Sequence, residues 1–431
     1  MEKKYTCVLY GAADTYSGYG SRFRDVAKSI IELKGEEWDI KIMPCRWGNT
    51  PHGFIEDHQE WSFLNDYMLS TPQLTYKPDY WFMCTIPSEF QALGTFSCGI
   101  TAGIESTIAP SDWVEGCQRM DLVLGSSKHT IDVLRSSKFH KVDKNTNQNI
   151  GLIEWTKPGD TLLEGVDINT YKITDVDNSE FNLDTTPEKF CYLFNSMWVG
   201  STPIGEDRKN VGLLIKLFFE LLKNKKNTPA LILKTSTVSA SYTDREEILK
   251  RINEIKKTVV ANTLPNIYLL HGEFTDEEIN KLYNHPKVKC MVSLTKGEGW
   301  GRTLCEFSSI NKPIITTGWS GQLDYLKPEF TALLGGNLTP IHQSAANNML
   351  LKEASWFSVD VQQASSVILD MFDNYKKYAE LAKRQGYHTR NNFSFDNMKD
   401  KFKTIINAIP TPVKQVPLTL PTLPKLKKIE Q

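Results

Sequence analysis

Between residues 189 and 318 short apolar runs alternate with longer amphipathic ones. "KFCYLFNS" (189–196), "PALILKT" (229–235), "NIYLLHG" (266–272), "VKCMVSL" (288–294) and "PIITTG" (313–318) have the length and apolar character of buried strands. Between them lie "VGLLIKLFFELLK" (211–223), "YTDREEILKRINEIKK" (242–257) and "TDEEINKLYN" (275–284), which read as helices. Thr275 is placed to cap the last of them. The run 211–223 is apolar nearly all round, which predicts a buried helix with no catalytic role. Apolar strands separated by helices predict a parallel sheet covered on both faces.

The first half follows the same grammar less cleanly. "YTCVLYG" leads through the loop "AADTYSGYG" into the helical "SRFRDVAKSIIEL", and "WDIKIMP", "DYWFMCTIP" and "MDLVLGSS" are further strands. Residues 138–160 are polar and irregular and predict an exposed loop. Residues 172–188 ("KITDVDNSEFNLDTTPE") have no apolar period and read as a linker. The expectation is an α/β chain of two Rossmann-like domains, 1–185 and 186–400, with parallel sheets facing a central cleft. Ligands of such sheets bind beyond the carboxyl ends of the strands, here in that cleft. Residues 409–431 carry five prolines and a lysine cluster, and are expected to be a disordered tail.

Composition narrows the class. A chain of 431 residues suits two domains, and 40% hydrophobic with 23% charged residues suits a soluble globular protein. A formal net charge of −1 supplies no global attraction to nucleic acid or anionic lipid. The eight cysteines form no CxxC pair and sit partly in strand-like runs, which favours buried thiols over disulfides or a zinc site. No apolar run has the length of a membrane span, and no leader-like segment opens the sequence. The expected location is cytoplasmic, or host cytoplasm for a viral protein, without integral membrane association.

The most distinctive stretch is "GEGWGRTLCE" (297–306). It reads as strand, bend, helix, with Glu298 in the bend and Glu306 in the helix that opens near Arg302 and Thr303. Gly299 and Gly301 admit backbone conformations and close approaches closed to other residues. Free amides at the helix start favour an oxygen-rich or anionic ligand. Two carboxylates along one cleft wall suit two polyols, such as the sugar and the ribose of a nucleotide sugar. Taken as an isolated pair, the two glutamates are better read as a solvated loop residue, Glu298, and a cap of its own helix, Glu306.

The stretch is similar to the E-x7-E element of the retaining family 4 type of glycosyltransferases with the GT-B fold. Other segments extend the resemblance. "TTGWSGQLDYL" (316–326) looks like the segment that follows E-x7-E, and "HGEFTDEEINKLYNHPKVKCMVSL" resembles the helix and strand before it. "EDRKNVGLLIKLF" resembles the phosphate-binding basic segment, "EGVDINTY" a Gly-Val-Asp turn, and "SGYGSRFRDVAKSI" the glycine loop facing the donor. "IESTIAPSDWVEGCQRMDLVLGSS" resembles a segment of some members.

The resemblance implies that Glu298 contacts donor-sugar hydroxyls and that Glu306 binds the ribose. The amides of Gly299, Trp300 and Gly301 would lie against sugar and phosphate, with Arg302 and Thr303 at the helix start beside them. Lys209 and Arg208 would stabilise the diphosphate leaving group, assisted by Lys234. Gly18 and Gly20 would let the N-terminal loop approach the phosphates. Two departures stand out: "VGSTPIGED" occupies the region of the family's usual arginine, and no histidine matches the one many members place near the reacting carbon. Glu105 is the substitute candidate, directed at donor sugar or acceptor.

Other signals carry less. "DVD" (175–177) sits in the polar linker rather than at a strand end, so no metal and no cofactor beyond the co-substrate is expected. "SGYGSRF" is an incomplete dinucleotide fingerprint. His271 ends a strand, as a cleft group or a paired core histidine. The expected activity is hexosyl or pentosyl transfer from a nucleotide sugar to a glycan, lipid, protein or modified nucleic acid. The alternatives are a DNA-modifying transferase acting on hydroxymethylated bases and a non-catalytic nucleotide-sugar-binding protein.

Overall fold

The computed structural model describes residues 4–412 except 72, 144, 147, 177–181, 201, 202 and 238. Two six-stranded sheets dominate it. The N-terminal sheet runs Trp38–Pro44, Tyr5–Gly11, Tyr80–Cys84, Phe96–Thr101, Leu122–Gly125, Gly159–Thr161, every neighbour parallel. The C-terminal sheet runs Ile267–Leu270, Ala230–Lys234, Cys191–Asn195, Val288–Ser293, Ile314–Thr317, Ala332–Leu334, again all parallel. Its order reverses between Cys191–Asn195 and Val288–Ser293, and the N-terminal order reverses between Tyr5–Gly11 and Tyr80–Cys84. Such reversals open a crevice beyond the strand ends. The expected fold class is borne out.

The elements follow from the sequence pattern. All five strands expected between 189 and 318 form within a residue or two of their predicted bounds; the apolar side chains of the four inner ones are buried on both faces of a covered sheet, and the edge strand Ile267–Leu270 is partly buried. Val211–Leu222 is buried on most sides, and Thr275 caps Asp276–Asn284 in a reciprocal capping box with Glu278.

Other elements depart from expectation. Residues 138–160 form an exposed antiparallel hairpin, Phe139–Val142 with Asn149–Ile153, followed by the sheet-edge strand Gly159–Thr161. Its apolar residues are too sparse to announce strands; Phe139 and Ile153 pack against the N-terminal core, and Lys138 pairs with Glu154 at 2.9 Å. A second hairpin pairs Gly336–Pro340 with Ser355–Val359.

Packing also distributes the chain between the halves. Val166, Tyr171 and Leu183 pack into the C-terminal core. The helix Phe395–Ala408 returns to the N-terminal core through Met398, Phe402 and Ile406. The two crossings pair with each other: Val166 N donates to Phe393 O at 2.9 Å and Phe395 N to Val166 O at 2.8 Å. Residues 177–181 of the expected linker and 413–431 of the expected tail lie outside the described residues. Ile409 packs against the N-terminal core.

Candidate active site

The bend after Val288–Ser293 projects Glu298 into the crevice at the C-terminal reversal. Gly301 stands at φ 86° and opens the helix Arg302–Ser309 with no side chain capping it. Gly299 serves an approach different from the expected one. A Cβ there would lie 2.3 Å from Ala102 O, so its missing side chain admits the protein's own N-terminal half. Ser126 Oγ then donates to Gly299 O at 3.3 Å.

Four charges meet at the bend. Lys209 Nζ lies 2.6 Å from each oxygen of Glu298, and Arg208 Nη1 lies 3.7 Å from Glu298 Oε2 and 2.9 Å from Glu105 Oε1. Arg208 Nη1 also donates to Gly297 O at 3.1 Å. Burial raises the Glu298 carboxyl, but Lys209 and Arg208 outweigh it and hold Glu298 below the usual carboxylate range. Burial and then Arg208 push Lys209 downward, against the pull of Glu298. These directions oppose each other over the pair's charge. Equal short contacts to both oxygens are those of an ammonium on a carboxylate, so the pair is ionic.

The cluster lines a cavity of about 400 Å³ between the two halves. Of the residues singled out in the sequence, Gly18, Glu105, Arg208, Lys209, Glu298, Gly299, Trp300, Gly301 and Arg302 line it. Gly18 is the first residue of the helix Gly18–Lys34 rather than part of a loop, and a Cβ there would meet nothing within 4 Å. The indole of Trp300 is buried against Tyr325 at a centroid distance of 4.8 Å, a packing role.

Four of the expected residues do not line the cavity. Gly20 sits in the first turn of its helix, where a Cβ would lie 2.4 Å from Thr15 O. Lys234 Nζ donates to Gly272 O at 3.2 Å and lies over the Phe274 ring. Thr303 is half-buried in the first helical turn. Glu306 is 6% exposed, with Arg302 Nε 3.2 Å from its Oε1. Arg302 also reaches Asp25 at 2.7 Å and Glu164 at 3.8 Å, which ties the two halves together. Burial lifts the Glu306 carboxyl from 4.5 to about 8 against the pull of Arg302, with Asp276 and Asp25 adding to the rise.

Sequence reasoning passed over several lining residues. Tyr19 and Trp47 pack ring against ring at 4.2 Å, and both line the cavity. Tyr19 lies between the two glycines of the "SGYG" loop, so a signal was present for it; nothing local marks Trp47. Ser196 and Met197 follow the strand at the topological reversal, where the crevice rule finds them. His271 pairs with Asp244 at 2.8 Å and lies outside the cavity. Asp177 of "DVD" is outside the described residues, and among those described no three His, Cys, Asp or Glu side chains group as a metal ion requires.

No protein-family profile and no curated protein sequence matches the chain. Solved structures do. HepE from Anabaena, in complex with UDP and glucose, superposes with a TM-score of 0.57 at 12% identity, over 94% of this chain and 100% of that one. Sucrose-phosphate synthase from Thermosynechococcus elongatus superposes at 0.59 and 10% identity, over 94% and 98%. A glycosyltransferase from Rickettsia africae does so at 0.59 and 13% identity, also over 94% and 98%. The fold is GT-B. In GT-B terms Lys209, Arg208 and Glu298 lie on the C-terminal wall, and Glu105, Gly18, Tyr19 and Trp47 lie on the opposing N-terminal wall.

Proposed function

We propose that the protein is a retaining, family 4-like glycosyltransferase that moves a sugar from a nucleotide-sugar donor to an acceptor hydroxyl. The observation that carries this reading is the juxtaposition of Lys209, Arg208, Glu298 and Glu105 in one interdomain cavity. As the bond from anomeric carbon to phosphate breaks, positive charge grows on the sugar and negative charge on the diphosphate. A fixed carboxylate beside two fixed cations answers both, and preorganised charge supplies much of the rate in such sites. An arriving diphosphate draws Lys209 off Glu298, which frees the carboxylate for sugar hydroxyls. Glu105, held by Arg208, faces the donor sugar or the acceptor. The leaving phosphate accepts the acceptor's proton on the same face, so configuration is kept without a protein nucleophile.

Lys209 and Arg208 do the work of a counter-ion, so no metal is required. Glu306 reaches the ribose only if Arg302 yields, and the ribose then replaces a partner that Glu306 now has. UDP-glucose, the donor seen with HepE, is the first to test.

Incubation with UDP-glucose and other nucleotide sugars carrying an isotope-labelled sugar, in excess EDTA, tests the reading. Release or transfer of labelled sugar is expected, with the chelator present throughout. Binding without turnover of any donor would make the chain a nucleotide-sugar-binding protein. Turnover lost in EDTA and restored by manganese would overturn the charge assignment.

A further inference from the structure

A second cavity, of about 600 Å³, shares no lining residue with the interdomain one. It lies in the C-terminal half, against the hairpin Gly336–Pro340/Ser355–Val359. Glu206, Asn210 and Lys296 line it, each within two residues of a member of the four-charge cluster.

The groups there have unmet needs. Lys296 is 4% exposed; its Nζ donates to Ser358 Oγ at 3.2 Å and lies 4.9 Å from the Trp356 ring centroid. Glu206 and Asp207 act on it only at a distance, and neither makes an ion pair with it among the described residues. Asn210 is 1% exposed and donates through Nδ2 to Leu294 O at 2.9 Å, while its Oδ1 is buried without a partner. Thr339 and Ser358 share a hydrogen bond of 2.6 Å, and Gln343 adds an amide at the rim. Leu213 and Val359 supply apolar wall.

This set selects by chemistry. A simple anion suits Lys296 but is repelled by Glu206 and offers nothing to Asn210 Oδ1. A cation reverses the problem. A hydroxyl accepts from an ammonium and donates to an amide or carboxylate oxygen at once, and vicinal hydroxyls repeat that pattern along a ring whose carbon face meets the apolar wall. We propose that this cavity binds a polyhydroxylated ligand, a mono- or disaccharide, at a site separate from the interdomain cleft. The proposal does not depend on glycosyl transfer. The site is wired to the cleft: Lys296 N donates to Arg208 O at 2.8 Å, and Phe357 N to Lys296 O at 3.0 Å.

Saturation-transfer NMR on the full chain without nucleotide, using glucose, galactose, mannose and maltose as probes, tests it. Saturation of at least one sugar is expected. Lys296→Met should weaken that sugar's binding by about tenfold, the scale of one charge-assisted hydrogen bond. Gln343→Ala, an exposed change that leaves the core alone, should weaken it less, and Glu298→Gln should leave it intact. The proposal is overturned if no sugar is saturated, or if Glu298→Gln abolishes binding while Lys296→Met and Gln343→Ala keep it. It is overturned equally if inorganic phosphate alone binds, with Lys296→Met removing that binding.

Discussion

Glu298 and Glu306 stand eight positions apart and meet opposite fates. Lys209 and Arg208 keep Glu298 ionised at a cavity wall, whereas Glu306 is buried beside a guanidinium shared by three carboxylates. On the proposed reading Glu298 acts on charge that grows during reaction. Glu298→Gln should therefore lower kcat by roughly a hundredfold while nucleotide affinity by calorimetry stays near normal, as for other electrostatic stabilisers. A wild-type rate would return Glu298 to a structural role. Glu306 gives a different prediction. Between 4.5 and about 8 the folded protein holds a proton that the unfolded chain has released, so stability falls as pH rises through that window. Glu306→Gln cannot titrate. Its urea midpoint should fall less than that of the wild type across the window; parallel midpoints would show that Arg302 keeps Glu306 charged in the fold.

At the scale of elements, the helix Phe395–Ala408 belongs to the N-terminal core although it follows the whole C-terminal sheet. Ser394 and Asn397 form its capping box, and Phe402 is fully buried, edge-on to Phe82 at 6.1 Å. The apolar face that meets that core is formed by Met398, Phe402 and Ile406, one helical turn apart. Phe402→Ala removes a large side chain from a filled site, which costs about 3–5 kcal/mol. Urea unfolding should register that loss in the N-terminal half. A cost within ordinary surface values would mean that the helix is an appendage rather than part of that core.

At the scale of the molecule, the two halves meet through polar contacts and through apolar ones, Ile108 packing against the Ile341, Ala354 and Trp356 cluster. Arg302 with Asp25, Arg208 with Glu105, Lys128 N with Asp324 at 2.8 Å, and Thr107 N with Ser355 O at 2.9 Å all span the cleft. The chain crosses between the halves at Val166 and Ser394, where the two crossings pair as a parallel bridge. Gly299 sets how closely the halves approach. Gly299→Ala places a methyl 2.3 Å from Ala102 O, which backbone cannot accommodate in place. Solution scattering should then give a larger radius of gyration than the wild type. Superimposable profiles would mean that the bend yields locally and the closure is held elsewhere.

The sequence by itself determined the strands and helices from 189 to 318, the α/β class and the bend that carries Glu298. Each rests on near neighbours: apolar runs bounded by turn formers, helical spacing, a capping threonine. Tertiary structure alone decided which charges meet. Arg302 and Asp25 are 277 positions apart and Arg208 lies far from Glu105, so no periodicity announces either pair. It also decided that Gly299 makes room for the opposite half, that Glu306 turns from the cavity toward Arg302, and that the helix Phe395–Ala408 returns to the N-terminal core. Pairing across the cleft depends on how two sheets face each other. Local propensity carries no information about that geometry.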